Sequence, residues 1–384
     1  MTEVVTGTLL NPSLHIAFSL SLAVAGAFLI LGTMLSAVRT VILPRGTSSL
    51  MNWIVFRLSH ASFSGFSRRR KTYEQRDHVM AHFAPVSLVL LGMFWLAAVA
   101  SGYSLLYWAT GADSLASGLV LSGSSLTTLG FIAPAFGVHQ ALGYSEAILG
   151  LFLGALMITY FPSLYGVFAR REVQVASLEV RAGTPPSAGA FIIRFHQIGW
   201  LDRLDETFLA WERWFAELEE SHTSYPALIF FRSPVADRSW ITAAGTVLDA
   251  AALSHSCVDV KYPRGSAAVC IRSGFLALRR LADFFGLAYN KNPEPSDPIT
   301  IMRSEFDAVW DDMERAGVPL VDDKDQAWLD YSGWRVNYDS LVLDFAEITM
   351  APYAPWTSDR SSLSHQRPRI ARFGNAAVDS FPVQ

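Results

Sequence analysis

Residues 114–134 read SLASGLVLSGSSLTTLGFIAP, from Ser114 to Pro134, and carry no charged side chain. The first 13 of them are small and apolar with scattered serines. A solvent-exposed connection is normally built from polar and turn-forming residues, so this composition is not that of an ordinary loop. The apolar part is also too short to cross a bilayer, which takes about 20 helical residues. It reads as a helix that enters the membrane and returns, a form tolerated where protein or a water-filled cavity surrounds it.

The flanks agree. Uncharged apolar runs extend from Leu14 to Val38 and from Pro85 to Trp108, and a third runs from Ser145 to Ala169 with Glu146 at its start. Each is long enough to span a membrane as a helix. No Lys or Arg precedes the first run. Arg39, Arg45, Arg57, Arg68, Arg69, Arg70, Lys71 and Arg76 lie between the first and second, none lies between the second and third, and Arg170 and Arg171 follow the third. The positive-inside rule then places the N-terminus and 109–144 outside and 39–84 and 170–384 in the cytoplasm of a multi-pass inner or plasma membrane protein. A cleaved signal peptide is disfavoured, because the basic residues follow the first apolar run. The whole chain is 51% hydrophobic and 17% charged, and its apolar excess sits in the first 170 residues. A net charge of -4 gives no reason to expect a nucleic-acid partner. Two cysteines, Cys257 and Cys270, are too few for a disulfide framework. In the 39–84 loop, Leu50, Met51, Trp53, Ile54, Phe56, Leu58 and Phe63 lie between basic residues. That stretch reads either as an amphipathic helix on the inner leaflet or as a helix packed on the soluble part.

The segment Thr127-Thr128-Leu129-Gly130-Phe131, with Pro134 after it, resembles the filter of the pore-loop potassium channel family, whose pattern is T-T-V-G-Y-G-D between two spans. The resemblance covers roughly 85–170 and places a pore helix, a filter and an inner helix there. It implies ion-binding roles for Thr127, Thr128, Leu129, Gly130 and Phe131. In such filters backbone carbonyls replace the water shell of the ion. The resemblance also implies a homotetramer, since four copies ring one ion, and a permeant monovalent cation, potassium first, with no other cofactor. Ile132 and Ala133 stand where the family has glycine and aspartate. Glycine reaches positive φ at little cost and a β-branched residue does not. Ile132 is therefore expected to alter the upper filter and weaken selectivity.

In the third run, Gly150 and Gly154 form a GxxxG pair that reads as close helix packing or as a gating hinge. Pro162 is expected to kink the helix near a gate at Phe161–Tyr165. Glu146 reads as a cation attractor at the outer mouth or as a charge balancing the helix dipole.

Past Gly183-Thr184-Pro185-Pro186 the patterns are helical, over 201–221, 225–231, 239–254, 267–285, 300–316 and 325–347, with Gly286 and Gly317 as stops. No phosphate-binding glycine loop and no nucleophile–base pairing appear. His255, Cys257 and Cys270 read as buried structural residues rather than a metal site. The turn FRSPVADRSW, with Arg232, Asp237 and Arg238, reads as a surface turn with local salt bridges or as a contact for a ligand or neighbouring subunit.

The expected fold is an all-α membrane protein with three transmembrane helices, a re-entrant pore helix and an all-α cytoplasmic domain. The expected divisions are an N-terminal span (1–38), a basic loop (39–84), a pore module (85–170), a helical cytoplasmic domain (171–350) and a disordered tail (351–384). The expected function is a tetrameric cation channel, not an enzyme, in contact with membrane lipids. A non-conducting, membrane-anchored signalling or scaffold protein with a degenerate pore loop is the alternative. A cysteine placed at Ala112 tests the topology: an impermeant thiol reagent should label it from outside intact cells, and labelling only after permeabilisation would overturn the assignment.

Overall fold

A computed structural model describes residues 12–43, 49–259 and 265–362. Among these residues the structure is helical throughout, with one isolated bridge between Val258 and Leu320. In chain order the helices are α1 (Pro12–Val41), α2 (Leu50–Arg68), α3 (Tyr73–Ala81), α4 (Phe83–Ala109), α5 (Leu115–Leu126), α6 (Val138–Ala182), α7 (Ala188–Gln197), α8 (Leu204–Ser224), α9 (Trp240–Cys257), α10 (Gly265–Phe285), α11 (Arg303–Arg315), α12 (Lys324–Arg335) and α13 (Asp339–Thr349). Three stretches, carried by α1, α4 and α6, are long and apolar enough to cross a membrane. The chain divides into two compact units.

The first unit comprises 1–43, 49–56 and 87–163. Glycines bring α1 and α4 into backbone contact: a Cβ on Gly26 would lie 2.6 Å from the Gly102 carbonyl oxygen. Small residues at such a crossing are the usual means of packing helices where burial of apolar surface gives no driving force. Hydroxyl and amide groups add to it. Trp95 Nε1 donates to Ser36 Oγ (3.1 Å), which also accepts from Ser49 Oγ (2.6 Å), and Asn52 Nδ2 donates to Thr40 Oγ1 (2.7 Å). Away from these contacts α1 presents Leu14, Ile16, Phe28 and Leu31 outward.

The second unit comprises 44–48, 57–86 and 164–384. Its centre is α9, WITAAGTVLDAAALSHSC, small and apolar on every side. A helix with no polar face has to be buried, and all of it but His255 is. Helices α7, α10, α12 and α13 surround it. The one acid in α9, Asp249, sits in the core and accepts from Arg335 Nη1 (2.6 Å), Tyr338 OH (3.0 Å) and Tyr331 OH (3.3 Å). Arg335 also bonds Asp339 through Nε (2.8 Å) and the Trp356 carbonyl through Nη2 (2.6 Å). Burial alone would lower the Arg335 pKa, but the facing carboxylates of Asp249 and Asp339 hold it well above its ordinary value.

Several boundaries differ from the sequence reading. The third apolar helix begins at Val138 rather than Ser145 and runs unbroken through Pro162 to Ala182. The expected helix over 325–347 is two, α12 and α13, separated at 336–338 so that Arg335 and Asp339 can both turn into the core. Helix α7 was not foreseen. Gly286 and Gly317 do end their helices, at φ +68 and +80. Residues 351–362 are packed rather than disordered: Ala354, Trp356 and Thr357 are buried, and Arg360 pairs with Glu305. The rest of that tail, 363–384, lies outside the described residues. Arg232 and Arg238 do not make local salt bridges. Arg232 pairs with Asp77 of α3 and with the Thr349 and Met350 carbonyls, and Arg238 pairs with Glu179.

Replacing Arg335 with Ala leaves Asp249 and Asp339 buried without their cation. Loss of one partner of a buried pair costs about 3–5 kcal/mol. Arg335→Ala should lower the thermal midpoint of the detergent-solubilised protein sharply, whereas Arg280→Ala, in an exposed pair with Glu219, should leave it nearly unchanged.

Candidate functional site

The candidate site lies in the first unit, where α5 ends. Ser114 caps α5: its Oγ accepts from Ser117 N (3.2 Å), and Ser117 Oγ accepts from Ser114 N (2.9 Å). This reciprocal pair satisfies two of the amides a helix start leaves unbonded. The helix then lies between α4 and α6. A Cβ on Gly118 would lie 2.6 Å from the Ser104 carbonyl oxygen, and one on Gly150 would lie 2.3 Å from that of Leu126. The two glycines are what allow α5 to sit this close to its neighbours.

After Leu126 the backbone turns sharply. Thr128 N donates to Ser125 O (3.0 Å) and Gly130 N to Ser124 O (3.2 Å). Thr128 has φ +56 and Gly130 φ +65, with Leu129 between them outside that region. For glycine this conformation is cheap, but for a β-branched threonine it is an outlier costing on the order of 1–3 kcal/mol. From Thr127 to Phe131, the five backbone carbonyls accept no hydrogen bond from any described residue. Leu129 is 71% exposed and Phe131 62%.

Ile132 does not take positive φ. Its N–H donates to Ser124 Oγ and its carbonyl accepts from the same hydroxyl, each at 3.0 Å. A single side chain thus fixes both polar groups of the residue that departs from the filter pattern. The row of free carbonyls stops there.

Glu146 is neither exposed nor at a helix start. It lies two turns inside α6, with 0% of its surface exposed. Its carboxyl accepts from Tyr107 OH (3.2 Å) and from the Ser122 hydroxyl of α5. Tyr103 OH bonds Ser145 Oγ (2.9 Å) next to it. The acid therefore ties α4, α5 and α6 together behind the turn. A buried acid is costly unless paired or hydrogen-bonded, and these hydroxyls are its partners. Sequence spacing gave no sign of this network, because its members are 24 and 39 residues from Glu146.

The two glycines of the 150/154 pair differ. Gly150 meets α5, while Gly154 has nothing within 4 Å of an added Cβ. Pro162 lies within α6, and Tyr165 beyond it is exposed. Among the described residues no group of three or more His, Cys, Asp or Glu side chains is placed to hold a metal. Cys257 and Cys270 are buried in the second unit, where burial pushes the Cys270 thiol upward.

Comparison of the chain with protein-family models, with curated proteins and with solved structures finds no match.

Gly150→Ala drives a methyl group into the Leu126 carbonyl and should destabilise the protein by about 1–3 kcal/mol, the usual cost of overpacking. Gly154→Ala meets nothing in its own chain and should be neutral or stabilising by about 0.5–1 kcal/mol, the helix penalty of glycine. Thermal unfolding of the two variants in detergent checks the contrast.

Proposed function

We propose that the chain is the subunit of a homotetrameric cation channel whose filter is the 127–131 turn. The observation that carries this reading is the row of five carbonyls without internal partners, exposed after a short capped helix and lying in sequence between two helices long enough to span a membrane. Peptide carbonyls in a membrane need a partner. A partly dehydrated monovalent cation, potassium first, supplies one to several carbonyls at once. The alternating positive φ at Thr128 and Gly130 supports the same reading, because it turns successive peptide groups without forming a helix. In this proposal α5 is the re-entrant pore helix and α6 the inner helix. The basic residues between α1 and α4 face the cytoplasm together with the helical domain.

Binding of the Ile132 carbonyl by Ser124 shortens the row relative to the family pattern. It favours a filter with fewer consecutive sites and weaker discrimination between potassium and sodium. It is also what favours the second reading, a membrane-anchored scaffold or signalling protein with a closed loop.

Purified protein in liposomes distinguishes the two. The channel reading expects a tetramer by native mass measurement and cation flux. Its reversal potential under a potassium–sodium gradient should show poor selectivity, and Ile132→Gly should shift that potential toward potassium. A monomeric or dimeric particle without flux would sink the channel reading.

A further inference from the structure

The last stretch of α6, 164–182, belongs to the second unit, and one of its side chains is an arginine with almost no exposed surface. Arg171 Nη1 donates to the Leu228 carbonyl (2.8 Å) and points at His222 Nε2 (3.0 Å). Its Nη2 donates to the Phe231 carbonyl (2.6 Å) and its Nε to Glu172 (2.9 Å). Three elements therefore converge on one guanidinium: α6 itself, α8 through His222, and the 3₁₀ turn Pro226–Phe230 with the residue after it.

His222 is fully buried. Its Nδ1 lies 3.0 Å from the Leu218 carbonyl, an acceptor only, so Nδ1 carries the proton and Nε2 has a lone pair toward Arg171. From α9 the Trp240 ring packs on it at 5.5 Å between ring centres. The 226–230 turn presents the Leu228 carbonyl to the shared guanidinium, and α8 offers the Ser221 hydroxyl at 3.0 Å. The charge that acts directly on the imidazole is Arg171, with Glu172 bonded to it, and Arg170 of α6 and Glu217 and Glu220 of α8 line a cavity together with Arg171 and Ser221.

We infer that the Arg171–His222 contact is an acid-released latch holding the end of α6 against α8 and the 226–231 turn. A proton on Nε2 would set two cationic N–H donors against each other at hydrogen-bond distance with no acceptor between them. Burial, and then the Arg171 charge, hold the histidine well below its ordinary value of 6.5. An opened contact returns His222 to water and to that ordinary value. The closed state thus has its full advantage above pH 6.5. It loses up to about tenfold per pH unit below that, until the closed-state histidine itself titrates. Helix α6 is continuous from Val138 to Ala182, so release changes the restraint on the helix that contains the third long apolar stretch. The inference does not rest on conduction.

Hydrogen exchange of the full-length protein in lipid nanodiscs tests it, with rates corrected for the intrinsic pH dependence of exchange. In the native chain, amides of 168–175 and 218–231 should lose about fivefold in protection between pH 6.5 and 5.5, while those of 243–257 in α9 serve as the unchanged reference. In His222→Gln the side-chain carbonyl still accepts from Arg171 and nothing titrates, so protection at pH 7.5 should persist and the acid response vanish. If the glutamine variant does not fold, His222→Phe keeps a neutral ring against Trp240 but offers Arg171 no acceptor, so protection at pH 7.5 should fall and the acid response should still vanish. A native protein with no acid response at these amides, or a response of equal size in either variant, would overturn the latch.

Discussion

A peptide group in hydrocarbon finds no water, so nearly every N–H and carbonyl of a spanning segment has to bond within the protein. In the membrane reading proposed above, most of the first unit follows from that constraint. Its long segments are helices because a helix satisfies its own backbone. Where they touch, glycines at 26, 102, 118 and 150 let them approach to backbone distance. The serines and tyrosines between them turn hydroxyls toward one another or toward a buried carboxyl. Among the described residues the carbonyls of the 127–131 turn accept no hydrogen bond, and the functional proposal starts from that deficit.

Much of this was legible in the sequence. Three apolar runs, the short helix between the last two and the change of character after it follow from composition and length. Positive φ at Gly130 follows from its being glycine, whereas positive φ at Thr128 has no sign in the sequence, and the filter roles of both stay with the functional proposal. Ile132 was marked as the residue unable to follow the pattern, and it does not take positive φ. What no local pattern carried was the means of accommodation, since Ser124 reaches it across eight residues of turn. In the sequence Glu146 reads as a cation attractor at the outer mouth or as a charge balancing the helix dipole, because hydropathy starts the third run there. The helix instead begins earlier, at Val138, and hydroxyls from two other helices allow the acid to be buried.

The second unit was less legible, for a physical reason. Periodicity finds amphipathic helices such as α8 and α10, whose apolar stripes face one core. It locates α9 but gives no hint that one aspartate in it organises the packing. Arg335, Tyr331 and Tyr338 look like surface residues until α12 and α13 are seen as separate helices folded over Asp249, 82 to 89 residues away in the chain. The segment 351–362 has the composition of a disordered tail, yet the Trp356 carbonyl completes the Arg335 coordination and Arg360 closes on Glu305. Its order comes from two arginines finding distant acceptors, which composition does not report.

The left-handed backbone at Thr128 amounts to a choice between two kinds of atom. Glycine would take the same angle with no steric penalty, as it does at position 130. Threonine there carries the crowding of a branched Cβ, about 1–3 kcal/mol for a single residue. In exchange the chain keeps a hydroxyl with no partner among the described residues, beside the first of the free carbonyls. A connector whose only task was to join two helices would gain from shedding that oxygen. The turn therefore spends conformational energy to hold one more ligand-capable atom than its backbone provides.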